Sequence, residues 1–159
     1  MSTGKALALG AISGLRAASG PAFVRRAANR GDMELEGTSL AFFGSPRLSE
    51  AHTLAQLEEL IVDKLPVSPS RTAWPPLLGR AVSGGLVGAA AFVSEGRHAA
   101  TGAILGSAAA VAAALAGENL RALAVEKTGL PALGVAVAED AVVLLVGSRA
   151  TPKVAPQVT

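Results

Sequence analysis

Cysteine is absent from the 159 residues, which removes disulfides, thiolate nucleophiles and Cys-based metal sites together. Tyrosine is absent too, and with one Trp and four Phe the chain has no run of aromatics on which nucleic-acid bases would stack. Charge is scarce, at 16% of residues against roughly 25% in a soluble domain. The two histidines, His52 and His98, stand alone on their segments and show no ligand spacing, so no metal site and no cofactor are expected. The net charge of +2 comes from 14 basic residues spread over helix ends instead of a stripe, which argues against a nucleic-acid partner.

What fills the chain instead is small and apolar. Half of the residues are hydrophobic and 18 are glycine, with Ala, Gly, Val and Leu dominating. That mixture suits close helix–helix contact in lipid better than a soluble core, where larger side chains must fill volume. The length fits one domain, assigned to residues 1–150 with a polar tail at 151–159.

The chain is punctuated at residues 63–84, where Pro66, Pro69, Pro75 and Pro76 exclude a continuous helix. One helix must end near Lys64, and another must begin at Pro75 or Pro76, where a missing N–H costs nothing. On the N-terminal side, residues 5–24 read as an apolar helix carrying Arg16 near its middle, with Pro21 ending or kinking it near Gly20. A signal peptide fits this stretch poorly, because a charge interrupts it and Arg25 and Arg26 follow where a small-residue cleavage site would stand. Residues 27–50 read as a polar surface loop with an interfacial patch at Leu40, Phe42 and Phe43, and residues 49–65 as an amphipathic helix capped by Ser49.

On the C-terminal side, residues 77–93 form the third helix. Residues 99–117 carry no charge at all, which is long enough to cross a bilayer, and the helix continues toward Lys127 before Gly129 and Pro131. Residues 132–147 make the last helix, interrupted by Glu139 and Asp140, and Trp74 reads as an interface anchor. The expected fold is all-α, a small polytopic membrane helix bundle of four to five apolar helices.

Glycines four apart recur in three segments, Gly10 and Gly14, Gly84 and Gly88, Gly102 and Gly106, the spacing that lets helix backbones approach. Packing of these faces within the chain and a homo-oligomer through them both follow as expectations. An internal duplication is suggested by Ala11-Ile12-Ser13-Gly14 against Ala81-Val82-Ser83-Gly84, and by Val62-Asp63-Lys64-Leu65-Pro66 against Val125-Glu126-Lys127 with Leu130-Pro131. Duplicated halves, often inverted in the membrane, are a recurring transporter design.

The run Ala11-Ile12-Ser13-Gly14-Leu15-Arg16, the Asp63-Lys64-Leu65-Pro66 turn with Pro69-Ser70-Arg71-Thr72, the pairs Gly79-Arg80 and Ser83-Gly84, and Gly129-Leu130-Pro131 before Ala138-Glu139-Asp140 also carry a resemblance. Together they resemble the bacterial membrane-protein family catalogued as domain of unknown function four-one-two-six, over nearly all of residues 7–147. The resemblance implies a small multi-helix integral membrane protein and brings no activity or catalytic residue.

Any chemistry lies in the charges inside apolar segments. Arg16, Glu59, Asp63, Arg80, Glu118, Glu139 and Asp140 are the candidate intramembrane polar site, since each would cost about 2.5 to 3.5 kcal/mol at a bilayer centre without a partner. Arg16 stands too deep in its helix to reach headgroups, and Glu139 or Asp140 is its expected partner, with Glu59 the second choice. Ser70, Arg71 and Thr72 are a candidate anion or lipid-headgroup site ahead of a helix N-terminus. Three functional classes follow: a transporter- or channel-like bundle, a membrane enzyme or binding protein for a lipid or polyprenyl phosphate headgroup, and a non-catalytic scaffold. No catalytic residue is assigned, and the first class needs no enzyme activity. The expected partner is the lipid bilayer of the inner or plasma membrane, crossed several times. Counting five spans, Lys and Arg divide almost evenly between the two faces; if residues 49–65 lie in the interface, the Arg25 and Arg26 face is richer and cytoplasmic.

Overall fold

A computed structural model describes residues 2–45, 74–129 and 132–151 of the chain. Among these, the structure is all-helical: α1 (Ser2–Leu15), α2 (Ser19–Asn29), a 3-10 turn (Ala41–Gly44), α3 (Trp74–Val93), α4 (Ala99–Thr128) and α5 (Ala132–Ala150), with no strand. The amphipathic helix expected at residues 49–65 and the turn that follows it lie outside the described residues.

The core is the trio α1, α3 and α4, and glycine is what brings these helices together. A Cβ added to Gly84 would stand 2.5 Å from the carbonyl oxygen of Gly106 and 2.5 Å from the Cβ of Ala110, one added to Gly88 2.9 Å from Gly106 Cα, and one added to Gly10 2.8 Å from Gly106 Cα. Gly14 meets the Ala110 backbone in the same way, at 2.9 Å from its Cα. Real Cβ atoms do not come so close, so all three spaced glycine pairs are used at once, and Gly106 is where they meet. The register makes α3 antiparallel to α4, and α1 parallel to it. Ser107 on α4 adds a cross-helix bond, its Oγ donating to Ala81 O at 2.8 Å.

Helix starts and stops follow their local chemistry. α3 opens at Trp74 with Pro75 and Pro76 in its first turn, where no N–H is needed. α4 ends on Gly129, which takes the left-handed conformation at φ 64 and donates its N–H to Val125 O, the usual helix stop. α5 runs three residues past the expected end at Gly147, to Ala150.

Two expectations are corrected. The first helix does not reach Val24: it breaks at residues 16–18, and the chain folds back so that Gly20 rests against Ser13 and the carbonyl of Leu9. Along a straight helix Leu9 and Gly20 would be about 16 Å apart, so α1 and α2 form a tight hairpin. The segment after it is no surface loop either. Met33, Leu35, Leu40 and Phe43 are buried with Leu9, Val24 and Phe92, because the polar residues between them leave an apolar face that packs on the hairpin. Phe43 anchors this face while Phe42, stacked on it with centroids 4.6 Å apart, stays exposed.

α3 and residues 99–127 of α4 are long and apolar enough to cross a membrane. Replacing Gly106 by Leu should separate the trio, since overpacking typically costs about 1–3 kcal/mol and here meets backbone on two sides. Thermal unfolding in detergent should fall clearly, and a variant melting with the parent would refute the glycine contact.

Candidate functional site

The site is built around one residue without an N–H. Pro21 cannot bond to the carbonyl four residues back, and its ring clashes with it, so the chain leaves the helix near Ala17 and restarts at Ser19 with Pro21 in the first turn of α2. The break falls one turn before the proline, earlier than Gly20. Arg16 N–H still donates to Ile12 O at 2.8 Å and Ser19 N–H to Arg16 O at 3.1 Å. The carbonyls of Gly14, Leu15 and Ala17 then need donors from elsewhere.

α3 supplies them. Arg80 Nη1 donates to Gly14 O at 2.7 Å and to Leu15 O at 3.1 Å, and Ser83 Oγ donates to Ala17 O at 2.5 Å. Positions 80 and 83 share a helix face, so one turn of α3 closes the whole break. Arg80 is only 5% exposed, and a cation on the last carbonyls of α1 also answers the negative end of its dipole. Charge-assisted bonds of this kind are worth about 1.5–3 kcal/mol each.

α5 reaches the same place through its two adjacent acids. Arg16 Nε donates to Asp140 Oδ1 at 2.5 Å, one of the two partners expected for it. Glu139 turns the other way and takes Arg121 of α4 in a bidentate pair, with Nε to Oε1 at 3.2 Å and Nη2 to Oε2 shorter still. Neighbouring helix positions point about 100° apart, so one dipeptide ties α5 to both the hairpin and α4. At the opposite end of α1, Lys5 Nζ meets Glu95 Oε1 at 3.1 Å, and the Arg97 guanidinium lies 4.3 Å over the Phe92 ring.

Of the candidate residues, the structure gathers Arg16, Arg80 and Asp140 at the break and places Glu139 beside them. Glu118 lies half-buried on α4, three residues before Arg121. Glu59, Asp63, Ser70, Arg71 and Thr72 lie outside the described residues. Sequence reasoning overlooked Ser83 and Arg121 as members of the site. Arg121 had a signal: it lies seven residues before the end of α4 and Glu139 seven after the start of α5, so an antiparallel pair of helices must bring them level. Among the described residues no three His, Asp or Glu side chains converge as metal ligands.

The family described as Domain of unknown function (DUF4126) matches residues 4–153. No curated protein and no solved structure matches the chain.

The Arg16 and Asp140 pair is testable by exchange. Arg16→Asp alone should leave two carboxylates facing each other and destabilise the fold by about 1–2 kcal/mol, the pair being only part-buried. Adding Asp140→Arg should recover a good part of the loss in thermal unfolding. A double variant no better than the single one would show that the pair does not hold α5 in place.

Proposed function

The chain belongs to the family described as Domain of unknown function (DUF4126), and we propose from its own geometry that it is a multi-pass, transporter- or channel-like membrane protein. Its polar site is the apex of the α1 and α2 hairpin, and the observation that carries this reading is the depth of that apex. Arg16 lies eleven residues beyond Lys5, or about 16 Å along the helix. Lys5, Glu95 and Arg97 make a polar rim there, and half of a ~30 Å hydrocarbon core is close to the same distance. The break then sits near midplane, where transporters keep discontinuous helices and irregular backbone is tolerated only against protein or a water-lined cavity.

The outer surface supports bilayer residence. Ile104, Leu120, Val137, Leu144 and Leu145 are each more than half exposed, on helices whose inner faces carry the ion pairs, which is the reverse of a soluble bundle. α3, α4 and α5 cross in this reading, and the hairpin is re-entrant.

The hairpin also bears on orientation. Because α2 folds back, Arg25, Arg26 and Arg30 come to the end that holds Lys5 and Arg97. α5 delivers Arg149 there too, since Gly147 receives the Phe23 ring of the returning limb. Basic residues accumulate at that end, which makes it cytoplasmic. A scaffold held by glycine packing alone requires neither water at the apex nor charge there.

The absence of native cysteine makes single-cysteine labelling clean. Ala17→Cys should react with a membrane-impermeant thiol reagent in proteoliposomes and Ile104→Cys should not, while tags on both termini should report the cytoplasmic side. An Ala17→Cys protein that stays unlabelled from both sides would leave the scaffold as the reading.

A further inference from the structure

Charge is distributed unevenly along the length of this bundle. Toward the Lys5 end, residues 6–15 of α1, 81–93 of α3, 99–117 of α4 and 141–148 of α5 hold no charged side chain, and α2 has none before Arg25. That half is also tightly packed, with Leu9, Ile12, Val24 and Val87 fully buried. The other half is different. α1 runs parallel to α4 with Gly14 against Ala110, so Arg121, eleven residues further on, stands about 16 Å beyond the level of Gly14. Glu139 joins Arg121 there, Glu118 lies one turn back on α4, and Arg16 with Asp140 links this group to the helix break. The side chains of Asp140 and Arg121 are 38% and 26% exposed. Charged groups are costly against hydrocarbon, so the exposed side of this ladder faces water.

α5 is the element able to part from the rest. The glycines that join α1, α3 and α4 meet backbone, whereas a Cβ on Gly134 would meet nothing within 4 Å and one on Gly147 would strike only the Phe23 ring. Among the described residues of α5, Val143 and Gly147 are the buried ones, and four apart they share one face. The carbonyls at the break are closed from α3, so α5 can swing away without baring them. On the Lys5 side of Asp140 the seam between α5 and the hairpin is filled by Phe23, its ring against Gly147 and packed on the core. Gly147 lies seven residues past Asp140, or about 10 Å along the helix.

We infer that the apex opens to water from the Arg121 end alone, and that Phe23 seated on Gly147 is the gate that seals it from the Lys5 end. The inference rests on the transporter- or channel-like reading above. An aromatic ring over a glycine has two discrete arrangements: closed, with the ring filling the space a side chain would take, and open, with ring and helix apart. Passage of a solute to the Lys5 end requires the second, and the pairs of Arg16 with Asp140 and Arg121 with Glu139 hold α5 in the first. One-sided access to a site near midplane is one end state of alternating access. The glycine-nested trio is then the fixed part and α5 the moving one.

Single cysteines test this in intact cells and in inverted vesicles from the same cells, with a membrane-impermeant maleimide. Gly4→Cys and Lys127→Cys, both at exposed positions, mark the two ends. Ala17→Cys should label in the preparation that labels Lys127→Cys and stay at background in the one that labels Gly4→Cys. Phe23→Ala, which removes the ring, and Gly147→Ala, whose methyl would displace it, should each raise that background about tenfold, equivalent to ~1.4 kcal/mol taken from the closed state. Val87→Cys, fully buried in the trio, should stay unreactive in both variants. The inference is overturned by Ala17→Cys labelling from the Gly4 side in the parent, by a background that the folded variants leave unchanged, or by a rise that Val87→Cys shares, which marks loss of packing instead of a gate. In each of those cases labelling of Ala17→Cys from water leaves the polar apex standing; an Ala17→Cys protein sealed from both sides removes apex and gate together.

Discussion

A carbonyl freed in apolar surroundings must find a donor, since leaving it bare costs several kcal/mol, and most of this structure can be traced to meeting that requirement after Pro21. The proline forces the break; the break exposes Gly14, Leu15 and Ala17 carbonyls; and Arg80 with Ser83 closes it. The closure works only if α3 lies near enough for a serine, among the shortest polar side chains, to reach the backbone of α1. That proximity is a backbone matter reached through α4, onto which Gly84, Gly88, Gly102 and Gly106 bring α3, and Gly10 and Gly14 bring α1, with no Cβ between the helices. Hydrogen bonding at the apex and glycine packing behind it are therefore one arrangement. Neither would persist with the other removed.

If the bundle lies in lipid as proposed, no hydrophobic term favours association between its helices, and dispersion contacts and polar pairs carry it. The chain divides these labours by element. α1, α3 and α4 are nested through glycine and alanine in a single good register, to which Arg80, Ser83 and Ser107 add side-chain bonds to backbone carbonyls. α5 is joined through Asp140 to Arg16, Glu139 to Arg121 and the seating of Phe23 on Gly147. Ion pairs in a poorly solvated setting are strong while whole and expensive when half is lost.

Much of the helical framework was legible in the sequence, for identifiable reasons. The charge-free stretch within α4, its stop at Gly129, and the start of α3 at the paired prolines each follow from one rule acting locally. So did the pairing of Arg16 with an acid of α5, because a mid-helix arginine with no exit narrows the choice to the few carboxylates of equal depth. The hairpin was not legible. A proline says that a helix is interrupted, not whether the chain bends or reverses, and reversal is decided by Gly20 fitting against Ser13, a contact no periodicity encodes. The burial of Met33, Leu35, Leu40 and Phe43 was hidden for the same reason: their segment is polar on average, and only the returning limb gives their apolar side something to cover. Ser83 was seen as half of a repeated motif, while its work on Ala17 O depends on a break whose position had been set too late.

The difference between the two modes of joining bears on how such a protein can change shape. A glycine-nested pair has one close-packed arrangement, and sliding it by a residue brings a Cβ against backbone, so the α1, α3 and α4 trio resists small displacement. An ion pair is different: the arginine can follow its carboxylate or exchange it for another acceptor, and the state reached is as discrete as the one left. Glu139 and Asp140 are adjacent on a single helix and grip different neighbours, so a rotation of α5 that loosens one strains the other. Any rearrangement of α5 against the trio must therefore release both arginines together, without requiring the trio to move.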